Sequence, residues 1–275
     1  TKVLRYQLHL KIKINVMKKI IISTFITVIA VATISFSCTK DSGSSSSNTS
    51  TVTTLPTVFQ KFSSAIQGSG LQVYLSGNYV IIKTNDLPDH KSPYYKGTQW
   101  ASTMYEAYNG TNSAWNQNPN TIASQNYVFK IPVSPTQASS SSQTPLGPMG
   151  VAINGVAIYN QYAAGRVALT TEINSFDEYN GHPDQSGSYH YHVEPTYLTT
   201  KNTKSSLIGF LLDGFPVYGP LENGKTLTSA DLDAYHGHTG VTADYPNGIY
   251  HYHITADAPY INGTGFYGTP GTVTN

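Results

Sequence analysis

Asp177-Glu-Tyr-Asn-Gly-His-Pro-Asp-Gln-Ser-Gly-Ser-Tyr-His-Tyr-His192 and Asp233-Ala-Tyr-His-Gly-His-Thr-Gly-Val-Thr-Ala-Asp-Tyr-Pro-Asn-Gly-Ile-Tyr-His-Tyr-His253 share one frame: Asp-x-Tyr-x-Gly-His, a variable turn with Gly, then Tyr-His-Tyr-His. These two units hold seven of the nine histidines of the chain: His182, His190, His192, His236, His238, His251 and His253. In a strand, residues i and i+2 share a face, with Cα atoms roughly 6.5–7 Å apart. His190 and His192 therefore share one face and Tyr189 and Tyr191 the other, as do His251 and His253 against Tyr250 and Tyr252. Two imidazoles at this spacing can grip one metal ion, and a third from the preceding loop completes a three-His set. His182 and His238 hold equivalent places in the two units and are the expected third ligands. His236 has Asn180 as its counterpart, which makes it the weaker candidate. Asp177 and Asp233 are also equivalent, and each is open to three roles: ligand, acceptor for an imidazole N–H, or turn cap. Paired Tyr-His strands could also form a polar core without metal. Against that, clustered imidazoles with a pKa near 6.5 repel one another once charged.

Outward from these units, the body reads as strands. Of 275 residues only 11% are charged, and 21 are Tyr, a composition suited to a turn-rich β protein. Leu71–Leu75 and Tyr79–Lys83 flank Ser76-Gly77-Asn78 as a hairpin, and Asn126–Val133 is a further strand. Asn154-Gly155 joins Val151–Ile153 to Val156–Tyr159 as a tight hairpin, and Asp213-Gly214 joins Leu207–Leu212 to Phe215–Tyr218. Short helices are expected over Glu172–Tyr179 and Ser229–Tyr235, and a Ser/Pro-rich surface loop over Ser134–Pro148. The expected fold is mainly β with short helices (β-rich α+β), a single domain over residues 57–270 built around two pseudo-repeats with His-x-His strands. The hairpin at 207–218 lies between the repeats and is expected to pair with both. The two His-rich units then face each other or line one cleft.

The N-terminal part reads as export machinery. Met17 is the expected start, with residues 1–16 an upstream extension. Residues 17–37 read as a lipoprotein-type signal peptide: Lys18 and Lys19, an uncharged run from Ile20 to Ile34, then Ser35-Phe36-Ser37 before Cys38. Cys38, the single cysteine, is the candidate lipidation site, and an uncleaved signal anchor is the alternative. Residues 38–56 read as a Ser-rich tether. Either route gives a membrane-attached protein of the cell envelope. Six of the sixteen basic residues precede Cys38, leaving ten against fifteen acidic ones in the body, which argues against nucleic acid as a partner. A body without thiols has no disulfide and no thiolate metal site. With only Met104 and Met149 as soft donors, an imidazole-rich site suits a divalent transition metal, zinc or copper before iron or nickel.

The duplicated frame resembles the YHYH domain family, named for this motif. Gly147–Asn160, Gly209–Pro220 and Ala258–Gly263 resemble further blocks of the family, as does Asn85–His90, which adds His90 to the residues of interest. The resemblance spans about 71 to 269. Many members carry Cys where this chain has Tyr179 and Tyr235 and near Thr264, which implies that those cysteines are not essential ligands. It implies no settled activity. Three functional readings follow: an exported, lipid-anchored metal-binding domain; a metal-dependent hydrolase or oxidase on the same histidines, with Asp177, Asp184, Asp233 or Asp257 as general base; or a surface adhesion or glycan-binding module using Tyr, Trp100 and Trp115. Asp213 is expected to serve its turn.

Overall fold

Segments rich in Val, Ile and Tyr, cut short by Gly, Asn and Pro, fold into sixteen brief strands among the described residues. In chain order these are β1 (Gln72–Ser76), β2 (Tyr79–Thr84), β3 (Tyr127–Pro132), β4 (Gly150–Ala152), β5 (Ala157–Ile158), β6 (Tyr162–Ala163), β7 (Val167–Ala168), β8 (Gly181–Pro183), β9 (Tyr189–Tyr191), β10 (Leu207–Leu211), β11 (Pro216–Tyr218), β12 (Leu221–Glu222), β13 (Lys225–Thr226), β14 (Gly237–Gly240), β15 (Ile249–His253) and β16 (Thr272–Thr274). This computed structural model describes residues 52–62 and 70–275. The upstream extension, the signal segment and Cys38 lie outside the described residues. Among those described, no helix is long and apolar enough to cross a membrane.

Eight strands form one sheet in the order β14-β15-β11-β10-β4-β5-β9-β8. The antiparallel pair β4·β10 sits at its centre, and every pairing on one side recurs on the other. The hairpin β4–β5 matches β10–β11; the parallel pair β5·β9 matches β11·β15; the antiparallel pair β8·β9 matches β14·β15. The repeat is thus half the sheet and longer than the His-rich unit alone. The hairpin at 207–218 does not pair with both Tyr-His strands: β11 pairs with β15, while β10 pairs with β4. It belongs to the second repeat as β4–β5 belongs to the first.

Both hairpins turn through three residues rather than two. The Gly155 N–H donates to the Ala152 carbonyl (2.8 Å) and the Gly214 N–H to the Leu211 carbonyl (2.9 Å). The glycines take φ of 83° and 87°, a left-handed backbone that L side chains resist. At Gly214 a Cβ would also stand 2.5 Å from the Pro132 carbonyl. Asp213 holds its turn through the Phe215 N–H, and its other oxygen takes the phenol of Tyr252 at 2.6 Å.

Helix is scarcer than expected near the repeats. Glu172–Ser175 and Ser229–Asp231 are single 3₁₀ turns, the second closed by a capping box between Thr228 and Asp231. Neither segment has an apolar stripe long enough to offset helix nucleation. Among the described residues, the α-helices are Ala101–Met104 and Thr196–Lys201, both short.

A second sheet, β1-β2-β3-β16, shares one hydrophobic core with the first. Val80, Ile82, Phe129 and Ile131 join Val151, Phe210 and Val217, each worth ~1.5–3 kcal/mol when fully buried. The turn Thr57–Lys61 adds Phe59, stacked on Phe210 at 4.3 Å. The loop from Ser134 is pinned to the C-terminal segment by the bridges Gln137↔Gly268 and Gln143↔Gly265.

Candidate metal centres

The glycine of each Asp-x-Tyr-x-Gly-His frame sits beneath the first tyrosine of its Tyr-His-Tyr-His strand. A Cβ on Gly181 would meet the Tyr189 ring at 2.4 Å, and one on Gly237 the Tyr250 hydroxyl at 2.5 Å. This close approach lets β8 and β14 pair tightly with their neighbours. It puts His182 directly opposite His190, and His238 opposite His251. The third histidine of each set therefore comes from a paired strand, not from a loop. Cross-strand neighbours stand ~4.5–5.5 Å apart at Cβ, close enough for their imidazoles to share a ligand.

In the first half, His182, His190 and His192 converge with Glu172, and all four donor atoms lie within 4.8 Å of one another. The Nε2 atoms of His190 and His192 are 3.0 Å apart. Glu172 Oε1 lies 3.3 Å from His182 Nε2 and 3.9 Å from His192 Nε2. These are close to the ~3.3–3.4 Å edge of a tetrahedron with metal–ligand bonds near 2.05 Å. The second half repeats the set with Glu222, His238, His251 and His253. Nε2 of His238 and His251 are 3.1 Å apart, and the Glu222 oxygens lie 3.3 to 3.8 Å from the three imidazoles.

The outward ring nitrogens determine what these distances mean. His190 Nδ1 faces the Ser188 carbonyl (3.0 Å), and His192 Nδ1 faces that of Asn160. His251 Nδ1 faces the Ile249 carbonyl (3.0 Å), and His253 Nδ1 that of Gly219 (2.9 Å). A carbonyl only accepts, so each Nδ1 carries the proton. His182 Nδ1 lies 2.7 Å from Ser175 Oγ and 3.3 Å from Asn118 Nδ2. Four of the six rings, those of His190, His192, His251 and His253, when neutral therefore turn a bare Nε2 lone pair inward. The Nε2 atoms of His182 and His253 are buried and make no hydrogen bond. His190 and His192 set lone pair against lone pair at 3.0 Å, an arrangement that a cation between them would relieve. Burial, reinforced by neighbouring imidazoles, holds His190 well below the usual imidazole range. Burial also pushes His192 and His253 down to about 4.

The opposite face of each strand is fixed by phenols on carboxylates. Tyr189 donates to Asp177 (2.7 Å) and Tyr250 to Asp233 (2.9 Å). The same aspartates accept from turn amides, Tyr179 N and Gly181 N in one case and Tyr235 N and Gly237 N in the other. Asp177 and Asp233 are thus neither ligands nor imidazole acceptors; they shape the turn and anchor a tyrosine. His236 takes φ of 75° and its counterpart Asn180 66°, so both fill the left-handed place of that turn. His236 Nε2 meets Thr255 Oγ1 at 2.9 Å, outside the converging set of Glu222, His238, His251 and His253. His90 lies on the tyrosine side, packed among Tyr179, Tyr189 and Tyr197, with Nε2 3.2 Å from the Tyr191 hydroxyl. Asp257 accepts from Ser229 N at a surface turn. Asp184 accepts the Tyr159 hydroxyl (3.1 Å), and Asp244 that of Tyr218 (3.0 Å), a duplicated pair beside each His group. Trp100 packs against the core, and Trp115 stacks on Tyr108 at 4.3 Å.

Glu172 and Glu222 are the functional candidates that the repeat conceals. Glu172 rides the 3₁₀ turn before Asp177, whereas Glu222 sits on β12 just after β11. The carboxylates reach equivalent places in space from inequivalent places in the chain, so aligning the two units does not pair them. The two groups also do not face each other. β9 and β15 are five strand spacings apart in the sheet, about 24 Å at ~4.8 Å each. Each borders its own cleft: about 950 Å³ beside Glu172 and His182, about 600 Å³ beside Glu222, His251 and His253.

The profile of the YHYH protein family matches residues 128–228 and 221–266, covering both halves of the eight-stranded sheet and all eight converging side chains. The chain belongs to the YHYH family. Comparison with curated proteins and with solved structures gives no match. In this chain the motif thus has a physical reading: its histidines converge on a carboxylate and its tyrosines lock the strand from behind.

Proposed function

We propose that this YHYH protein binds two metal ions in separate mononuclear sites, Glu172/His182/His190/His192 and Glu222/His238/His251/His253, with zinc or copper as the ion. The observation that carries this reading is the set of inward Nε2 lone pairs, fixed by outward Nδ1–H bonds, around a carboxylate at ligand–ligand distance. Three neutral imidazoles and one carboxylate suit borderline divalent ions. Four protein donors describe a closed shell of the structural or storage type. The readings of the N-terminal segment support export: Lys18-Lys19, the apolar run and Cys38 make a lipoprotein-type signal, and the Ser-rich segment would hold the domain off a membrane in the cell envelope.

Metal-dependent hydrolysis or oxidation is the second reading, and the two clefts favour it. If a glutamate yields its place, the freed position faces a space large enough for a substrate. Elemental mass spectrometry of the tag-free chain tests the primary reading. Two equivalents of zinc or copper per chain are expected. A folded protein that takes up no metal after reloading contradicts both readings.

A further inference from the structure

The cleft beside the first His group has the size of a ligand pocket and a polar, largely amide lining. Its volume of about 950 Å³ stands at the upper end of the ~300–1,000 Å³ typical of ligand pockets. One wall is the segment 116–120, which is held rigidly by its own amides. Asn118 Nδ2 and Asn120 Nδ2 both donate to the Pro183 carbonyl (3.0 and 3.2 Å), Asn118 Oδ1 accepts the Asn120 N–H (3.0 Å), and Gln117 Nε2 donates to the Pro93 carbonyl. These bonds leave Gln117 Oε1 and Asn120 Oδ1 as free acceptors. The exposed Asn116 and Gln185, which also line the cleft, add two further carboxamides.

The charge pattern narrows the ligand. No Lys or Arg lines this cleft, and its two acids are occupied: Glu172 faces the imidazoles, while Asp184 accepts from Tyr159, Ser186 and Ser188. No side chain of the cleft offers a phosphate, sulfate or carboxylate a counter-charge, and Glu172 would offset half the charge of a divalent ion held beside it. The second cleft differs, since the Lys61–Asp244 ion pair lies in its wall. A hydroxyl both donates and accepts, as a carboxamide does, so a neutral polyhydroxylated ligand can pair with each amide group. Ala114, Pro119, Ala164 and Pro183 provide small apolar patches for the C–H faces of a sugar ring. An extended peptide is less well served. β8 is the edge strand here, but Pro183 has no N–H and its carbonyl is already taken by Asn118 and Asn120, so strand addition at that position is blocked.

We infer that this cleft binds a neutral saccharide against the Glu172–His182 face of the first His group, and that the second cleft does not. The placement next to a metal rests on the function proposed above; the cleft itself does not. The test is calorimetric titration of the zinc-loaded full chain with cellohexaose, xylohexaose, laminarihexaose and chitohexaose. A heparin hexasaccharide and an uncharged Gly/Asn/Ser hexapeptide serve as comparators. At least one neutral saccharide is expected to bind, the Asn116→Ala/Gln185→Ala variant to weaken it at least tenfold, and Asn223→Ala in the second cleft to leave it unchanged. Binding of none of the four saccharides overturns the inference. So does saccharide binding untouched by the double substitution, or binding of only the heparin fragment or the peptide. Metal content measured on the same samples separates the two proposals. A chain with two ions and no saccharide affinity loses only this inference, and a metal-free chain that binds saccharide loses only the metal reading.

Discussion

In the first half of the sheet, Tyr159 lies flat on His190 at 3.8 Å and Phe176 flanks His182 and His192, whereas in the second half Tyr218 meets His251 edge-on at 5.4 Å and His238 stands 32% exposed. The order and direction of the strands and the outward Nδ1 contacts of the two His-x-His pairs are the same. What has been kept in both halves is the geometry of three Nε2 atoms and a carboxylate; what has diverged is how tightly that set is sealed. A constraint on the donors and not on their surroundings is what metal binding would impose. Two tyrosine-backed polar strands with no ligand would have no reason to bring Glu172 and Glu222 to the same place by different routes.

The largest effect that could break this comparison is the loss of one ion at a time. His190→Ala/His192→Ala and His251→Ala/His253→Ala should each remove one metal equivalent and leave the other, as counted by elemental mass spectrometry. Loss of both ions in either variant would mean that the halves are not independent. Next come the carboxylates. Glu172→Gln and Glu222→Gln should each weaken one site by at least the ~10–100-fold typical of losing an outer partner, read by competition with a chromophoric chelator. Unchanged affinity in both would remove glutamate from the set.

The sealing difference predicts an order of release. A chelator should strip the ion at the exposed His238 group first, seen as two kinetic phases, with only the fast one missing in His251→Ala/His253→Ala. A single phase in the wild-type chain would show the two halves to be equally accessible. A smaller, thermodynamic effect concerns the phenol anchors. Tyr252→Phe strips one donor from the fully buried Asp213 and should cost ~1–3 kcal/mol in chemical denaturation. Tyr250→Phe, whose partner Asp233 is exposed, should cost less.

The pH response of the metal-free protein tests the burial of the rings themselves. His192 and His253 are pushed down to about 4 by burial, against ~6.5 in an unfolded chain. Between those values the unfolded state takes up protons that the folded state does not. Their contribution to stability is therefore complete above pH ~6.5 and is lost as the pH falls toward about 4. The midpoint temperature of chelator-treated protein should decline across that window. A flat profile would contradict the buried, neutral state of these rings.

Much of this was legible in the residues. The duplicated His-x-His with a duplicated third histidine pointed to the six histidines that converge in two groups of three, because a strand's period of two leaves little freedom. The remaining extent of the repeat was also present in the sequence: Gly150 to Tyr159 and Gly209 to Tyr218 both run Gly-x-x-x-Asx-Gly-x-x-x-Tyr. That shared pattern marks the second hairpin as a copy of the first, not a bridge between the His-rich units. The glutamates were not legible. Glu172 lies in a 3₁₀ turn and Glu222 on a two-residue strand, and neither has a counterpart at the same place in the other repeat. Only the folding of two dissimilar connections over equivalent sheet edges brings them into line. The separation of the groups was likewise hidden, since it depends on β4 and β10 meeting at the centre and carrying β9 and β15 to opposite flanks.

X-ray absorption at the K-edge of the bound metal tests the central claim most directly. A shell of four nitrogen and oxygen donors near 2.0–2.1 Å, with the multiple-scattering pattern of about three imidazoles per ion, is the predicted result. A six-coordinate oxygen shell, or a spectrum without imidazole scattering, would show that the converging histidines do not hold the ion.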